Sequence, residues 1–230
     1  MNTVQKFIEN QQNNRSEFLL FNKIPLFVRD QIESENSINI IKLIKQLESF
    51  LPEQFKYLIK SIIILDDPSF KERDINAFYH EKKLYVSNQQ DDLNDILDDI
   101  VHEFAHALEE EYSKNIYADQ EIENEFLKKR KLLKIILQAE GFDLSNYDFA
   151  KLEYDKNLDD LFYKTVTYEK INNATNYGLF VSPYATTSLR EYFATGFEEY
   201  VLGDVNELKN ISPKIYNKLN QIFNKGETNE

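Results

Sequence analysis

Apolar residues in the first ninety positions of the chain follow both strand-like and helix-like spacings. Short apolar or β-branched runs indicate buried strands, and recurrence near every 3.6 residues indicates a helix with one buried face. Two of the runs are separated only by Glu81 and Lys82, which predicts a tight hairpin. The patterns predict strands at 26–28, 61–65, 76–80 and 83–87, and helices at 1–20 (polar and peripheral) and 37–51.

The second half of the chain is dominated by helical spacing. One apolar stripe runs through residues 91–112, and a longer amphipathic pattern ends at Gly141. Residues 165–187 are rich in Asn, Thr and Tyr and predict a long, ordered surface segment. The predicted strands lie in the first half of the chain and helices dominate the second half, which indicates an α+β fold. The predicted helices are 91–112, 121–141, 157–163, 188–202 and 212–223.

The length of the chain and the lack of linker-like segments indicate its domain organisation. The chain has 230 residues with only five glycines and five prolines, and neither a repeat nor a Gly/Ser-rich linker divides it. We therefore predict a single domain over residues 1–223, in which 1–35 is peripheral, and a frayed tail at 224–230.

Composition narrows the classes of partner and ligand. A formal net charge of −13 argues against nucleic acid, which requires clustered Lys and Arg. No apolar run approaches the length of a membrane span, and residues 1–15 lack the apolar region of a secretory signal. These features predict a cytoplasmic protein without a membrane partner, although secretion or delivery by a non-standard route stays open. Because the chain has no cysteine, a bound metal must be held by His, Asp or Glu.

The candidate chemistry lies at His102-Glu103-Phe104-Ala105-His106, an H-E-x-x-H motif within a predicted helix. Residues four apart share one helix face, so the two imidazoles can bind one Zn²⁺ together, and Glu103 can reach a water beside it. The chain has only three histidines, and two of them are in this motif.

Helix geometry leaves two interpretations of the histidine face. His102 and His106 lie off the apolar stripe of their helix, which permits either a wet, charged surface or a cleft whose other side is the core. The rarity of histidine elsewhere favours the cleft. The acidic residues predicted on the same side are Asp95, Asp98, Asp99 and Glu109.

A catalytic zinc site needs a third protein ligand and an open position. His80 is one candidate, at a hairpin where a solvent-facing turn residue is the ordinary interpretation. Glu191 is the better candidate, on a helix face shared with Thr195 and Glu198. However, Ser188-x-x-Glu191 also fits a capping box, in which Glu191 would merely satisfy a backbone N–H. Spacing alone leaves both roles of Glu191 open.

The sequence H-E-F-A-H-A-L at 102–108, followed by E-Y-F-A-x-x-F at 191–197, resembles the zinc-binding core of the gluzincin metallopeptidases. The likeness is greatest to the group that includes the catalytic domain of anthrax lethal factor and the Pro-Pro endopeptidases, and it is confined to these two patches. The resemblance implies a zincin-like fold in which a small N-terminal mixed sheet packs on the active-site helix and the C-terminal half is helical. It also implies Glu191 as the third zinc ligand, through the E-[FY]-F-A-E-x-F pattern of that group.

The resemblance further implies a mechanism. Tyr184, seven residues before Glu191, corresponds to a tyrosine that lines the site and can donate to a developing oxyanion, although a packed loop aromatic is the alternative. Glu103 corresponds to the general base that takes a proton from a zinc-activated water. The expected activity is a zinc-dependent endopeptidase for protein or peptide substrates. Extended substrate would add to an edge strand at 83–87 or 77–79, unless these strands form only a structural hairpin.

Two departures from the family pattern affect these expectations. The separation between His106 and Glu191 is longer than in the family, which implies a helical insertion at about 113–163. The family's glutamate one turn after the third ligand is Thr195 here, so Glu198 or Glu109 would have to orient a ligating histidine in its place. The alternatives are an inactive zincin-fold protein that binds a protein partner through the same cleft, and a helical scaffold with an incidental histidine pair.

Overall fold

The computed structural model describes residues 16–33, 38–73, 75–175 and 178–224. These residues form an α+β protein, which confirms the predicted class. The chain divides into two compact units, Met1–Glu111 and Tyr112–Glu230. The first unit holds the sheet and most of the helix that carries the H-E-x-x-H motif, and the second is helical.

A five-stranded mixed sheet organises the first unit. Its order is β1-β2-β3-β5-β4, with antiparallel pairing of β1 with β2 and of β4 with β5 and parallel pairing of β2 with β3 and of β3 with β5. Glu81 and Lys82 both have positive φ (50° and 63°), the geometry of a two-residue hairpin turn, as the tight connection predicted. The strands are β1 (Ser16–Leu20), β2 (Ile24–Val28), β3 (Ser61–Leu65), β4 (Ala77–His80) and β5 (Lys83–Ser87).

Alternation along the three central strands builds one apolar face of the sheet. Leu26 pairs with Ile62, which pairs with Leu84, and Ile64 pairs with Val86 in the next row. All five side chains are fully buried. Burial of one side chain of this size stabilises a fold by about 1.5–3 kcal/mol. These two rows are therefore a main part of the core of the first unit.

The first strand corrects the prediction of a helix over residues 1–20. Residues 16–20 form β1, in which Phe18 pairs with Leu26 and Leu20 pairs with Ile24. Leu20 is fully buried. Cross-strand pairing and burial, which depend on a neighbour later in the chain, outweigh the polar character of this stretch. Residues 1–15 of that predicted helix lie outside the described residues.

In the described part of the first unit, three α-helices and a 3₁₀ helix at Glu53–Tyr57 accompany the sheet. The predicted helix 37–51 is α1 (Ile40–Phe50), capped by the Asn39 side chain, which accepts from the Lys42 N–H at 3.1 Å. A short helix, α2 (Pro68–Arg73), follows β3. The motif helix is α3 (Leu93–Tyr117), which leaves helical geometry at Tyr112 (φ −107°, ψ 17°), where the first unit gives way to the second.

The motif helix is held beside the β4–β5 hairpin by polar contacts. The Tyr79 hydroxyl donates to Glu110 at 2.7 Å, and Lys82 Nζ lies 3.3 Å from a Glu111 oxygen. Glu110 and Glu111 thus face the hairpin, which fixes the rotation of α3 about its axis and hence the direction of its other faces.

The helices of the second unit follow most of the predicted pattern. Gly141 has φ +94° just after α4, in the left-handed conformation typical of a helix C-terminus. A π-helical segment, Leu161–Val166, extends α5. The helices are α4 (Glu121–Ala139), α5 (Lys156–Asp160), α6 (Tyr168–Thr175), α7 (Leu189–Leu202), α8 (Val205–Ile211) and α9 (Pro213–Asn224).

Two features of this unit differ from the prediction. The stretch 165–187 is not simply a surface segment, because it contains α6 and a 3₁₀ turn at Tyr184–Thr186, and Phe180 in it is almost fully buried. The helix α8 was absent from the prediction. Its signal is Asp204, whose side chain accepts from the N–H groups of Asn206 and Glu207 in the manner of an N-cap.

A polar cluster fixes α7 within the second unit. The Tyr192 hydroxyl lies 2.8 Å from Glu125 Oε1 and 3.0 Å from Ser212 Oγ. Lys129 Nζ donates to the Ile211 carbonyl at 2.6 Å and to Ser212 Oγ at 3.0 Å. Burial lowers the pKa of Lys129 to about 8, against the opposing effect of Glu125. These bonds join α7 to α4 and to the junction of α8 with α9.

No helix in the described part of the chain is both long and apolar enough to cross a membrane.

Candidate metal centre

The two motif histidines lie one turn apart on α3. Their ring centroids are 5.1 Å apart, with the ring planes at 87°. His106 is only 6% exposed and Glu103 only 7% exposed, while His102 is partly exposed. The turn is therefore largely shielded from solvent, which contradicts the interpretation of a wet, charged surface. Buried apolar residues continue through the same stretch: Ile100, Val101, Phe104, Ala105, Ala107 and Leu108.

Glu191 lies in the first turn of α7, after the N-cap residue Ser188. The Ser188 backbone is extended (φ −153°, ψ 166°), and its side-chain oxygen accepts from the Glu191 N–H at 3.1 Å. This bond uses the backbone of Glu191 and the side chain of Ser188. The cap and a ligand role for the Glu191 carboxylate therefore do not compete.

His102, His106 and Glu191 form a cluster that could hold a metal ion. Each side chain offers one ligand atom, and these atoms all lie within 4.8 Å of one another. Zinc bonds of about 2.0–2.2 Å in tetrahedral geometry separate two ligand atoms by roughly 3.4 Å. The cluster therefore has to contract by at most about 1.4 Å per pair to share one ion. Two imidazoles and a carboxylate suit zinc, although other divalent transition metals accept the same donors.

One carboxylate, that of Asp99, lies one helical turn before the histidine pair, and another, that of Glu109, lies one turn after it. Burial raises the pKa of Asp99 to about 7, helped by the charges of Asp95 and Glu103, while a hydrogen bond from Gln90 at 3.1 Å and the charge of His102 lower it. At the other end, a Glu109 oxygen lies 3.8 Å from His106 Nδ1. Helical spacing predicts Asp99 on the histidine side without indicating a role for it.

The remaining candidates differ in their surroundings. Tyr184 begins the 3₁₀ turn and is 41% exposed. His80 ends β4 with an exposed side chain, its Nε2 3.9 Å from a Glu81 oxygen, and it does not belong to the metal cluster. Glu191, rather than His80, accompanies the histidine pair.

Thr195 does not take the place of the expected glutamate. It is 7% exposed, and its hydroxyl lies 2.8 Å from the Glu191 carbonyl and 3.4 Å from the Tyr192 carbonyl, in the preceding turn of its own helix. The six residues from Tyr192 to Phe197 are all buried, so Thr195, on the helix face that it shares with Glu191, is not open to solvent. A hydroxyl engaged with the backbone in this way is the usual arrangement of Thr inside a helix.

The Ser188 cap gives a stability prediction. Replacing Ser188 with Ala removes the acceptor of the Glu191 N–H at a position only 2% exposed, where water does not easily replace it. We expect the free energy of unfolding to fall by about 1 kcal/mol. Urea denaturation measures the change, and Ser188→Thr, which keeps the oxygen, should lose less than half as much. Equal stability of Ser188→Ala and wild type would show that the cap contributes nothing.

Comparisons of the chain with protein-family models, with curated proteins and with solved structures found no match.

Proposed function

We propose that the protein is a zinc-dependent endopeptidase with a zincin-like fold. The observation that carries the proposal is the convergence of ligand atoms from His102, His106 and Glu191 within 4.8 Å, with Glu103 buried in the same turn of α3. The likeness of 102–108 and 191–197 to the gluzincin motifs supports the same assignment, and so does the mixed sheet that precedes the motif helix.

The chemistry follows from the positions of the side chains. The His102 and His106 imidazoles and the Glu191 carboxylate would hold the ion. When bound, zinc supplies Lewis acidity that lowers the pKa of water to about 7 and polarises a carbonyl. The Glu103 carboxylate accepts the proton of the attacking water and passes it to the leaving amine nitrogen. Because Glu103 is only 7% exposed, bulk water competes weakly for that proton.

Tyr184 would stabilise the charge that develops on the scissile carbonyl oxygen. Because Tyr184 is 41% exposed, its side chain can approach a substrate without displacing core residues. A single donor of this kind contributes about 2–4 kcal/mol to transition-state stabilisation.

The sheet indicates how an extended substrate would bind. β5 is paired on both sides, by β3 and by β4, which excludes 83–87 as an edge for substrate addition. β4 stands at the end of the sheet order, next to the hairpin contacts with α3. Addition of a substrate strand to β4 would satisfy backbone groups of both chains and bring an extended peptide alongside the motif helix.

The test is cleavage of a peptide library by zinc-loaded protein, with products identified by mass spectrometry. We expect cleavage that a chelator abolishes and that stoichiometric zinc restores, with about one zinc bound per chain. Bound zinc without cleavage of any peptide would favour the inactive, partner-binding alternative. Failure to bind zinc after reconstitution would contradict the proposal and leave a helical scaffold.

A further inference from the structure

We propose that Glu109 is a positioning residue for His106: its carboxylate holds the imidazole in the Nδ1–H tautomer and thereby presents Nε2 to the metal. The inference rests on the proposed function, because it assigns a role to a residue beside the same histidine.

The geometry that supports the role lies within one turn of α3. Glu109 follows His106 by three residues, a spacing that brings side chains together on a helix. A Glu109 oxygen lies 3.8 Å from Nδ1, and the two side chains are only 15% and 7% exposed. The carboxylate therefore faces one particular ring nitrogen in surroundings with little solvent screening.

A neutral imidazole has one N–H and one lone pair, and its neighbours decide which nitrogen carries which. A carboxylate beside Nδ1 favours the hydrogen at Nδ1, which leaves the lone pair at Nε2. Closing the gap from 3.8 Å to a hydrogen bond needs a movement of about 0.8 Å. Metal-ligating histidines commonly donate their second N–H to a carboxylate in this way, which also makes them stronger ligands.

Other residues are less suited to this role. Thr195 has no carboxylate, and its hydroxyl is engaged with the backbone. Glu110 and Glu111 reach the hairpin through Tyr79 and Lys82. A Glu109 oxygen, by contrast, lies 3.8 Å from His106 Nδ1.

The first measurement is the tautomer of His106 by ¹⁵N NMR of the metal-free protein, above the pH at which its imidazole is protonated. We expect the Nδ1–H form in wild type and a shift toward Nε2–H in Glu109→Leu. Glu109→Gln keeps an acceptor oxygen and should remain largely Nδ1–H. Glu110→Gln is the matched control, because it removes the same charge from the next residue, whose carboxylate accepts from the Tyr79 hydroxyl. It should match wild type.

The second measurement is the zinc dissociation constant by chelator competition. We expect Glu109→Leu to weaken zinc binding by about 10–100-fold, Glu109→Gln by less than tenfold, and Glu110→Gln not at all. If Glu109→Leu fails to fold, the comparison of Glu109→Gln with Glu110→Gln decides. The weaker acceptor beside Nδ1 should weaken zinc binding measurably, whereas the same loss of charge at the next residue should not.

The outcomes separate this inference from the proposed function. Wild-type tautomer and zinc affinity in Glu109→Leu would overturn the positioning role and leave the peptidase proposal intact. A similar loss in Glu109→Leu and Glu110→Gln would also overturn it, because the effect would then be one of net charge. Failure of wild type to bind zinc would contradict both, whereas loss of zinc affinity only in the Glu109 variants would support both.

Discussion

Replacement of Glu103 with glutamine is expected to lower kcat for peptide hydrolysis by about 10²–10⁴-fold while the protein still binds zinc. Glutamine has nearly the same volume and keeps an oxygen, so packing at this buried position should survive. It cannot accept a proton at neutral pH, so the attacking water loses its general base. The measurement is kcat and KM on the best peptide of the library, together with zinc content and the zinc dissociation constant.

The pattern across these quantities makes the test specific. A residue that acts on the proton in the transition state lowers kcat and kcat/KM together and leaves zinc affinity within about threefold. Glu110→Gln serves as the control, because it removes a carboxylate from the same helix on the side that faces Tyr79. Equal kcat in Glu103→Gln and wild type would show that another group takes the proton and that the assigned base is wrong.

Local patterns predicted the elements whose stability is local. The β-branched run at 61–65 became β3 with the predicted bounds, and the apolar stripe at 91–112 became the main part of α3. In both, side-chain periodicity and burial agree, so sequence and structure carry the same signal. The histidine pair was predictable for the same reason, since spacing of four within a helix fixes a shared face.

Elements that depend on distant partners were less predictable. β1 exists because residues 16–20 pair with β2, and the polar stretch before them indicated a helix instead. Helical spacing placed Thr195 on one face with Glu191 but did not indicate its burial, and all six residues at the centre of α7 are buried. Spacing describes one helix at a time, whereas burial of a second face depends on neighbours such as the polar cluster around Tyr192.

Glu191 shows both what local spacing can predict and what depends on residues distant in sequence. Spacing alone left its role divided between a helix cap and a metal ligand, because the sequence does not show how close positions 106 and 191 lie in space. The structure assigns the cap bond to the Ser188 side chain and groups Glu191 with the two histidines as potential ligands. The proximity of Glu191 to the two histidines supports most of the proposed function, and it is visible only in the three-dimensional structure.

Removal of any one of the three candidate ligands is expected to weaken zinc binding by about 10²–10³-fold, if each bond contributes a roughly equal share of the 10–16 kcal/mol typical of complete zinc sites. The variants are His102→Ala, His106→Ala and Glu191→Ala, and the measurement is chelator competition. His80→Ala is the matched control, because it removes the one histidine outside the motif from an exposed position at the end of β4. It should bind zinc as wild type does.

Thermal unfolding with and without zinc measures the same loss of zinc binding independently. Zinc at 100 times its dissociation constant stabilises the folded state by about 2.7 kcal/mol, so wild type and His80→Ala should gain Tm with zinc and the three ligand variants should not. If only the two histidine variants lose the gain, another group completes the site, and the proximity of Glu191 within 4.8 Å would have no role in binding. Because Glu191 is the proposed link between the second motif and the metal, that result would remove the gluzincin-like ligand set while leaving a two-histidine metal site on α3.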